Sequence, residues 1–185
     1  MPKYFAFLQA VNVGSRKIIM SQLRNQFEGL DFTEVETFIA SGNVIFSSPI
    51  QSTVELETVI MKMLKQNYAF DIETYVRTTH TISQLLALDP FPHNKVATTH
   101  SLHVDFFSLP LAPHTLEQTL SLQNSENDFH VVDNNLLWLN QKSIHETTVT
   151  YVQVEQAMGT KMTMRGINTL QRMIAKHPYV VGQTE

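Results

Sequence analysis

The sequence predicts an α+β chain built from two tandem β-α-β-β-α-β units with antiparallel sheets, each unit followed by one extra helix. Three observations carry this. Several short runs are apolar on both faces, as strands in the middle of a covered sheet are. Between them lie stretches whose apolar residues recur at helical spacing. The order strand, helix, hairpin, helix, strand then occurs twice within 185 residues. That length suits one larger domain or two small ones sharing a core, and the repeated order divides the chain at residues 1–95 and 96–185.

Residues 4–11 (YFAFLQAV) form the first predicted strand. Phe5, Phe7 and Val11 point one way; Tyr4, Ala6, Leu8 and Ala10 point the other. Gln9 interrupts the first set, and is expected to be buried and hydrogen-bonded. Residues 12–17 (NVGSRK) break the strand with turn formers and two cations. Met20, Leu23, Phe27 and Leu30 then give one apolar helical stripe. Residues 34–40 and 43–47 are strands joined at Ser41-Gly42-Asn43, a hairpin signal. Ser52 or Thr53 caps the next helix, which carries Leu56, Val59, Ile60, Met63 and Leu64. Residues 71–78 make the fourth strand, so the first half has the ferredoxin-like order. A helix over 81–88 stops at Asp89-Pro90-Phe91-Pro92, and a linker runs through about Thr99.

The second half repeats the order. Strand 102–109 ends at Pro110, and a helix over 115–122 follows. Strands 129–133 and 136–139 form a hairpin around Asn134-Asn135. A helix with Tyr151, Val154 and Met158 closes at Gly159. A strand over 162–165 and a helix over 168–176 complete the pattern. Strands 102–109 and 136–139 are also apolar on both faces. Burying one Leu or Phe side chain contributes about 1.5–3 kcal/mol, so each half is expected to help cover the other. Trp138 reads as core filler, with a base-stacking platform as the alternative.

Composition narrows the function classes. Apolar residues make up 43% and charged residues 16%, as in an ordinary globular chain. With no cysteine, thiolate zinc sites, disulfides and cysteine chemistry are excluded. Net charge is −4, and neither half carries the basic excess of a general nucleic-acid binder. The first residues run straight into a strand without a small-residue cleavage site. No apolar run approaches the roughly 20 residues that span a bilayer. A cytoplasmic protein without membrane attachment is expected.

The segments FLQAVNVGSRK, TFIASGNVIFSS, LDPFP and TMRGINT together resemble the uncharacterised bacterial family called domain of unknown function 1697. Its members open with an LLRGINVGG-like motif and continue with a YIQSGNVVF-like hairpin. The resemblance runs in matching order over nearly the whole chain. It implies two ferredoxin-like halves and no settled activity. Asn12, Gly14, Ser41, Gly42, Asn43, Pro90, Thr163, Arg165 and Thr169 fall on matching positions. Gln9 stands where the family usually has arginine, Ser15 replaces a glycine, and Gly166 replaces an asparagine. The family's lysine near Thr148-Val149 is missing.

No catalytic constellation names a reaction. Residues 12–17 lead to a helix start, where backbone donors and a cation can hold an anion. Connectivity brings this loop beside the Ser41-Gly42-Asn43 turn. The sequence reading is therefore a binding module for a small anion (phosphate, nucleotide or RNA end) at this corner. Asn12, Gly14, Ser41 and Asn43 would line it with Gly42 in the turn, and Arg16 and Lys17 would stand at its mouth. Against this stands a splint in which Asn12 and Asn43 only satisfy loop backbone. The alternative functions are an enzyme with an active site between the halves, or a protein–protein adaptor with a homodimer as one form. No cofactor is implied. His103 and Asp105 share a strand face, but no metal-ligand spacing supports a site. Glu34 and Glu36 read as solubility residues on an edge strand. Ser41, Ser47 and Ser48 lack a nucleophile-elbow context.

Overall fold

A computed structural model describes residues 1–179. The elements run β1 (Lys3–Leu8), α1 (Met20–Glu28), β2 (Thr33–Phe38), β3 (Asn43–Ser47), α2 (Thr53–Asn67), β4 (Thr74–Thr78) and α3 (Thr79–Ala87). They continue with α4 (His93–Thr98), β5 (Ser101–Phe106), α5 (Pro113–Leu120), β6 (Asn127–Val132), β7 (Asn135–Asn140), α6 (Tyr151–Met158), β8 (Thr163–Gly166) and α7 (Ile167–Lys176). The fold is mixed α+β, with seven helices among the described residues. The strands form two four-stranded sheets, ordered β2-β3-β1-β4 and β6-β7-β5-β8. Every pairing is antiparallel. Two compact units result: Met1–Leu86 with described residues 172–179, and Ala87–Gln171. No helix of the described residues is long and apolar enough to cross a membrane.

In the first unit β1 is central, between β3 and β4. Its alternate residues Tyr4, Ala6 and Leu8 join Val44, Phe46 and Val76 in a cluster with Leu23 and Phe27 of α1 and Leu56, Ile60 and Leu64 of α2. Phe46 stacks on Phe32 at 4.6 Å between ring centroids and meets the edge of Phe27 at 5.6 Å. The α2 start is fixed as its sequence dictates, because the Ser52 side chain accepts from the Glu55 N–H. One turn on, Glu57 is buried. It accepts from the Val76 N–H at 2.8 Å and lies 3.4 Å from Arg77 Nη1. Burial raises its carboxyl above the usual range, against the opposing pull of that N–H and Arg77.

In the second unit Phe107, Phe129, Leu136, Trp138, Val154, Met158 and Met162 make the corresponding cluster. Trp138 is fully buried, with Phe129 edge-on at 5.2 Å. Thr150 and Gln153 form a reciprocal capping box at the α6 start, and Gly159 ends that helix at φ +62°.

The repetition reaches the level of register. Phe7 pairs with Asn43 as Phe106 pairs with Asn135. Phe5 pairs with Arg77 as Val104 pairs with Arg165. The matched side chains also bond alike. Asn43 donates to the Phe38 carbonyl at 3.1 Å and Asn135 to the Val132 carbonyl at 3.2 Å. Arg77 and Arg165 each donate to the carbonyl of the preceding residue at 2.8 Å.

Three local expectations change. The first strand ends at Leu8, because Ala10 and Asn12 turn the chain through φ +53° and +59°. Gln9 is thus half-buried rather than buried, with its N–H on the Glu73 carbonyl at 2.8 Å. The stretch read as linker contains α4. Tertiary ties hold that short helix: Lys95 Nζ is 2.6 Å from Asp128, and Gln141 donates to the Lys95 carbonyl at 3.0 Å.

Candidate functional site

The corner expected from connectivity forms where β1 leaves and β3 enters. The Leu8 N–H donates to the Gly42 carbonyl at 2.8 Å, which sets the two chain ends side by side. Gly42 lies at φ +74°, and a Cβ there would sit 3.0 Å from Leu8 Cβ, 3.1 Å from Val11 Cβ and 3.2 Å from the Leu8 carbonyl oxygen. Only glycine satisfies both the backbone and the contact.

Asn12 knits the corner together. Its N–H donates to the Arg16 carbonyl at 2.8 Å and closes the loop. Its Oδ1 accepts from the Ile18 N–H at 2.9 Å, and its Nδ2 donates to the Ala40 carbonyl at 2.9 Å. Asn43 is fully buried. Besides the Phe38 carbonyl, its Nδ2 meets Ser41 Oγ at 2.8 Å. Asn12, Ser41, Gly42 and Asn43 are therefore brought together, and the two amides serve backbone and hydroxyl partners of the loop and hairpin.

Beyond the Arg16 carbonyl, the other three residues stand apart from this knot. Gly14, at φ +57°, has open space around it and is exposed. Lys17 is exposed. Arg16 lays its guanidinium over the Phe70 ring at 5.2 Å. Neither cation has a carboxylate partner among the described residues. The following helix, α1, has Ile19 at its N-cap, without a side-chain cap bond and with no acidic residue in its first turn. Chemically, the arrangement offers positive charge on a rigidly tethered loop. It offers no nucleophile paired with a base.

Elsewhere the sequence candidates take structural places. Glu34 accepts from Ser47 Oγ at 2.7 Å and pairs with Lys3 at 3.3 Å. The Ser47 hydrogen bond and then Lys3 hold its carboxyl below the usual range. Ser48 Oγ accepts from the Ile50 N–H at 3.1 Å. His103 is half-buried, 3.3 Å from Asn140 Oδ1. Among the described residues no three His, Cys, Asp or Glu side chains gather to hold a metal ion.

Two features escaped the sequence reading. Asn127, fully buried, accepts three hydrogen bonds on its Oδ1: from Trp138 Nε1 at 3.0 Å, Asn140 Nδ2 at 3.1 Å and Thr147 Oγ1 at 2.7 Å. Its signal in the sequence was only an asparagine near a strand start. Asp105 is fully buried, and neither carboxylate oxygen has a hydrogen-bond partner. Burial drives its carboxyl well above the usual range; nearby Arg165 opposes this and Glu155 adds to it. Burial likewise lowers Arg165 to about 10.

Comparison with known proteins follows the fold. No curated protein sequence matches the chain. A solved structure, that of a conserved bacterial protein from Streptococcus pneumoniae, superposes with a TM-score of 0.70 at 17% identity. The match covers 93% of this chain and 96% of that one, and at such identity it speaks to the fold alone. Residues 1–137 match the family described as Protein of unknown function (DUF1697). They contain both the loop that Asn12 closes and the hairpin turn to which it is tied, and on that match the chain belongs to this family.

Proposed function

We propose that this protein is a non-catalytic anion-binding module of two ferredoxin-like units, whose site is the corner between β1, α1 and the β2–β3 turn. The observation that carries the reading is the tethering of the loop by Asn12, which holds the half-buried Arg16 and the exposed Lys17 without carboxylate partners among the described residues. A fixed loop holding two cations favours a phosphate or carboxylate group, because the ordering cost is met by the fold rather than on binding. In this reading the seven corner residues have two roles. Asn12, Ser41, Gly42 and Asn43 build the support; Gly14, Arg16 and Lys17 face the ligand.

Calorimetric titration with inorganic phosphate and with nucleotides tests this. The Arg16→Gln/Lys17→Gln double variant is expected to lose binding with unfolding unchanged. Asn43→Ala is expected to lose about 1–3 kcal/mol of stability from unpaired buried groups. Wild-type protein that binds neither phosphate nor nucleotide would refute the reading of the corner as a site for those anions.

A further inference from the structure

The corner that presents the cations also presents bare aliphatic side chains. Val13 is 64% exposed, Ile19 58% and Ile39 45%. They come from three places in the chain, yet each adjoins a residue of one hydrogen-bonded knot. Val13 follows Asn12, Ile19 follows Ile18, and Ile39 precedes Ala40; Asn12 bonds both Ile18 and Ala40. Single exposed aliphatics are ordinary; here three are carried on backbone that one asparagine ties together. Ile39 sharpens the point. It sits at φ +50°, where a β-branched residue is an outlier, and asparagine or glycine would be at ease there. The turn thus holds an unsuitable residue with its side chain in water.

The charged residues nearest to Val13 and Ile19 along the chain are the cations Arg16 and Lys17. Residues 9–27 and 37–54 contain no carboxylate, and of their three cations Arg24 is paired with Glu28 while Arg16 and Lys17 are not paired among the described residues, in a chain of net charge −4. The complementary partner is aliphatic and acidic. Anionic lipid fits less well, since polybasic lipid sites cluster about four to eight cations and interfacial anchors use Trp or Tyr.

We propose that this corner docks an acidic, aliphatic segment of a partner protein, with carboxylates against Arg16 and Lys17 and aliphatic side chains against Val13, Ile19 and Ile39. For its charged half this rests on the anion-binding reading above. Short random peptides displayed on phage are panned against the full chain, with counter-selection on Ile39→Asn. Enriched peptides are expected to combine Glu or Asp with Leu, Ile or Val. Their affinity, read by fluorescence anisotropy, should fall at least about tenfold in both Ile39→Asn and Arg16→Gln/Lys17→Gln. Ile39→Asn should melt no earlier than wild type, because asparagine tolerates its backbone.

Four results would overturn the proposal: no peptide that distinguishes wild type from Ile39→Asn, enriched peptides without acidic residues, sedimentation with phosphatidylserine vesicles in place of peptide binding, or self-association lost in Ile39→Asn. Phosphate titrated alone separates the two ideas. Peptide binding without phosphate binding would remove phosphate as the ligand and leave the docking surface standing.

Discussion

Replacing Gly42 by alanine tests how the corner is built, and Gly14→Ala, in the loop that Asn12 closes, provides a control. Both glycines have positive φ, +74° and +57°. An alanine held in that region costs about 1–2 kcal/mol. At Gly14 nothing lies within 4 Å of the added Cβ, so that cost stands alone. At Gly42 the Cβ meets Leu8 Cβ at 3.0 Å, Val11 Cβ at 3.1 Å and the Leu8 carbonyl oxygen at 3.2 Å. Leu8 belongs to the central strand and is buried, so neither it nor its backbone can yield freely. Overpacking of this kind adds about 1–3 kcal/mol. Gly42→Ala should therefore cost about 2–5 kcal/mol in total, and Gly14→Ala about 1–2. Urea unfolding followed by far-UV circular dichroism measures both, and the Gly42→Ala midpoint should fall by about 1 M or more. Equal midpoints for the two variants would refute the reasoning, because strain in φ would then explain everything and the close approach nothing.

Asp105→Asn should stabilise the protein at pH 8 by more than about 1 kcal/mol, the low end for a buried group left unpaired. The sign follows from linkage: the unfolded carboxyl loses its proton near 3.9 while the folded one retains it, so wild-type stability falls as pH rises above about 4. Arg165 and Glu155 are the charged groups that act on it, and the variant's unfolding free energy should be flatter with pH. A wild-type profile that rises from pH 4 to pH 8 in step with the variant would contradict the assignment. Asn127→Ala should cost more than about 2 kcal/mol, since the buried Trp138 and Asn140 donors lose their shared acceptor. Trp138 emission should change with it; an unaltered spectrum and midpoint would mean that water replaces the amide.

The sequence disclosed what periodicity and local chemistry control. Ser52 caps α2 and Gly159 caps α6 because those residues satisfy helix ends wherever they stand. The meeting of the Asn12 loop with the Ser41-Gly42-Asn43 turn followed from strand order. Boundaries set by the tertiary environment were hidden. Nothing in YFAFLQAV announces that Ala10 takes a left-handed conformation and ends the strand early. The helix α4, too short to stand alone, is held by Lys95 and Gln141 across long sequence separations. Asp105 was legible only as a polar residue sharing a strand face with His103, and its complete burial is visible only once β5 lies between β7 and β8. The division of labour at the corner was equally hidden, because composition cannot say whether an amide side chain meets a ligand or its own backbone.

The strand β2 lies at an edge of its sheet, and there Glu36 pairs with Lys176 and, at 3.2 Å, with His177. These partners are 140 and 141 residues further along the chain. On a ribosome adding about 5–20 residues per second, they are made on the order of ten seconds or more after Glu36. For that interval the nascent first sheet has an edge without its closing contacts, the geometry from which strands of neighbouring chains add and aggregate. Charge on an edge strand discourages such pairing. Glu36 thus has two successive duties in biosynthesis: it guards an unfinished edge, then receives the returning chain.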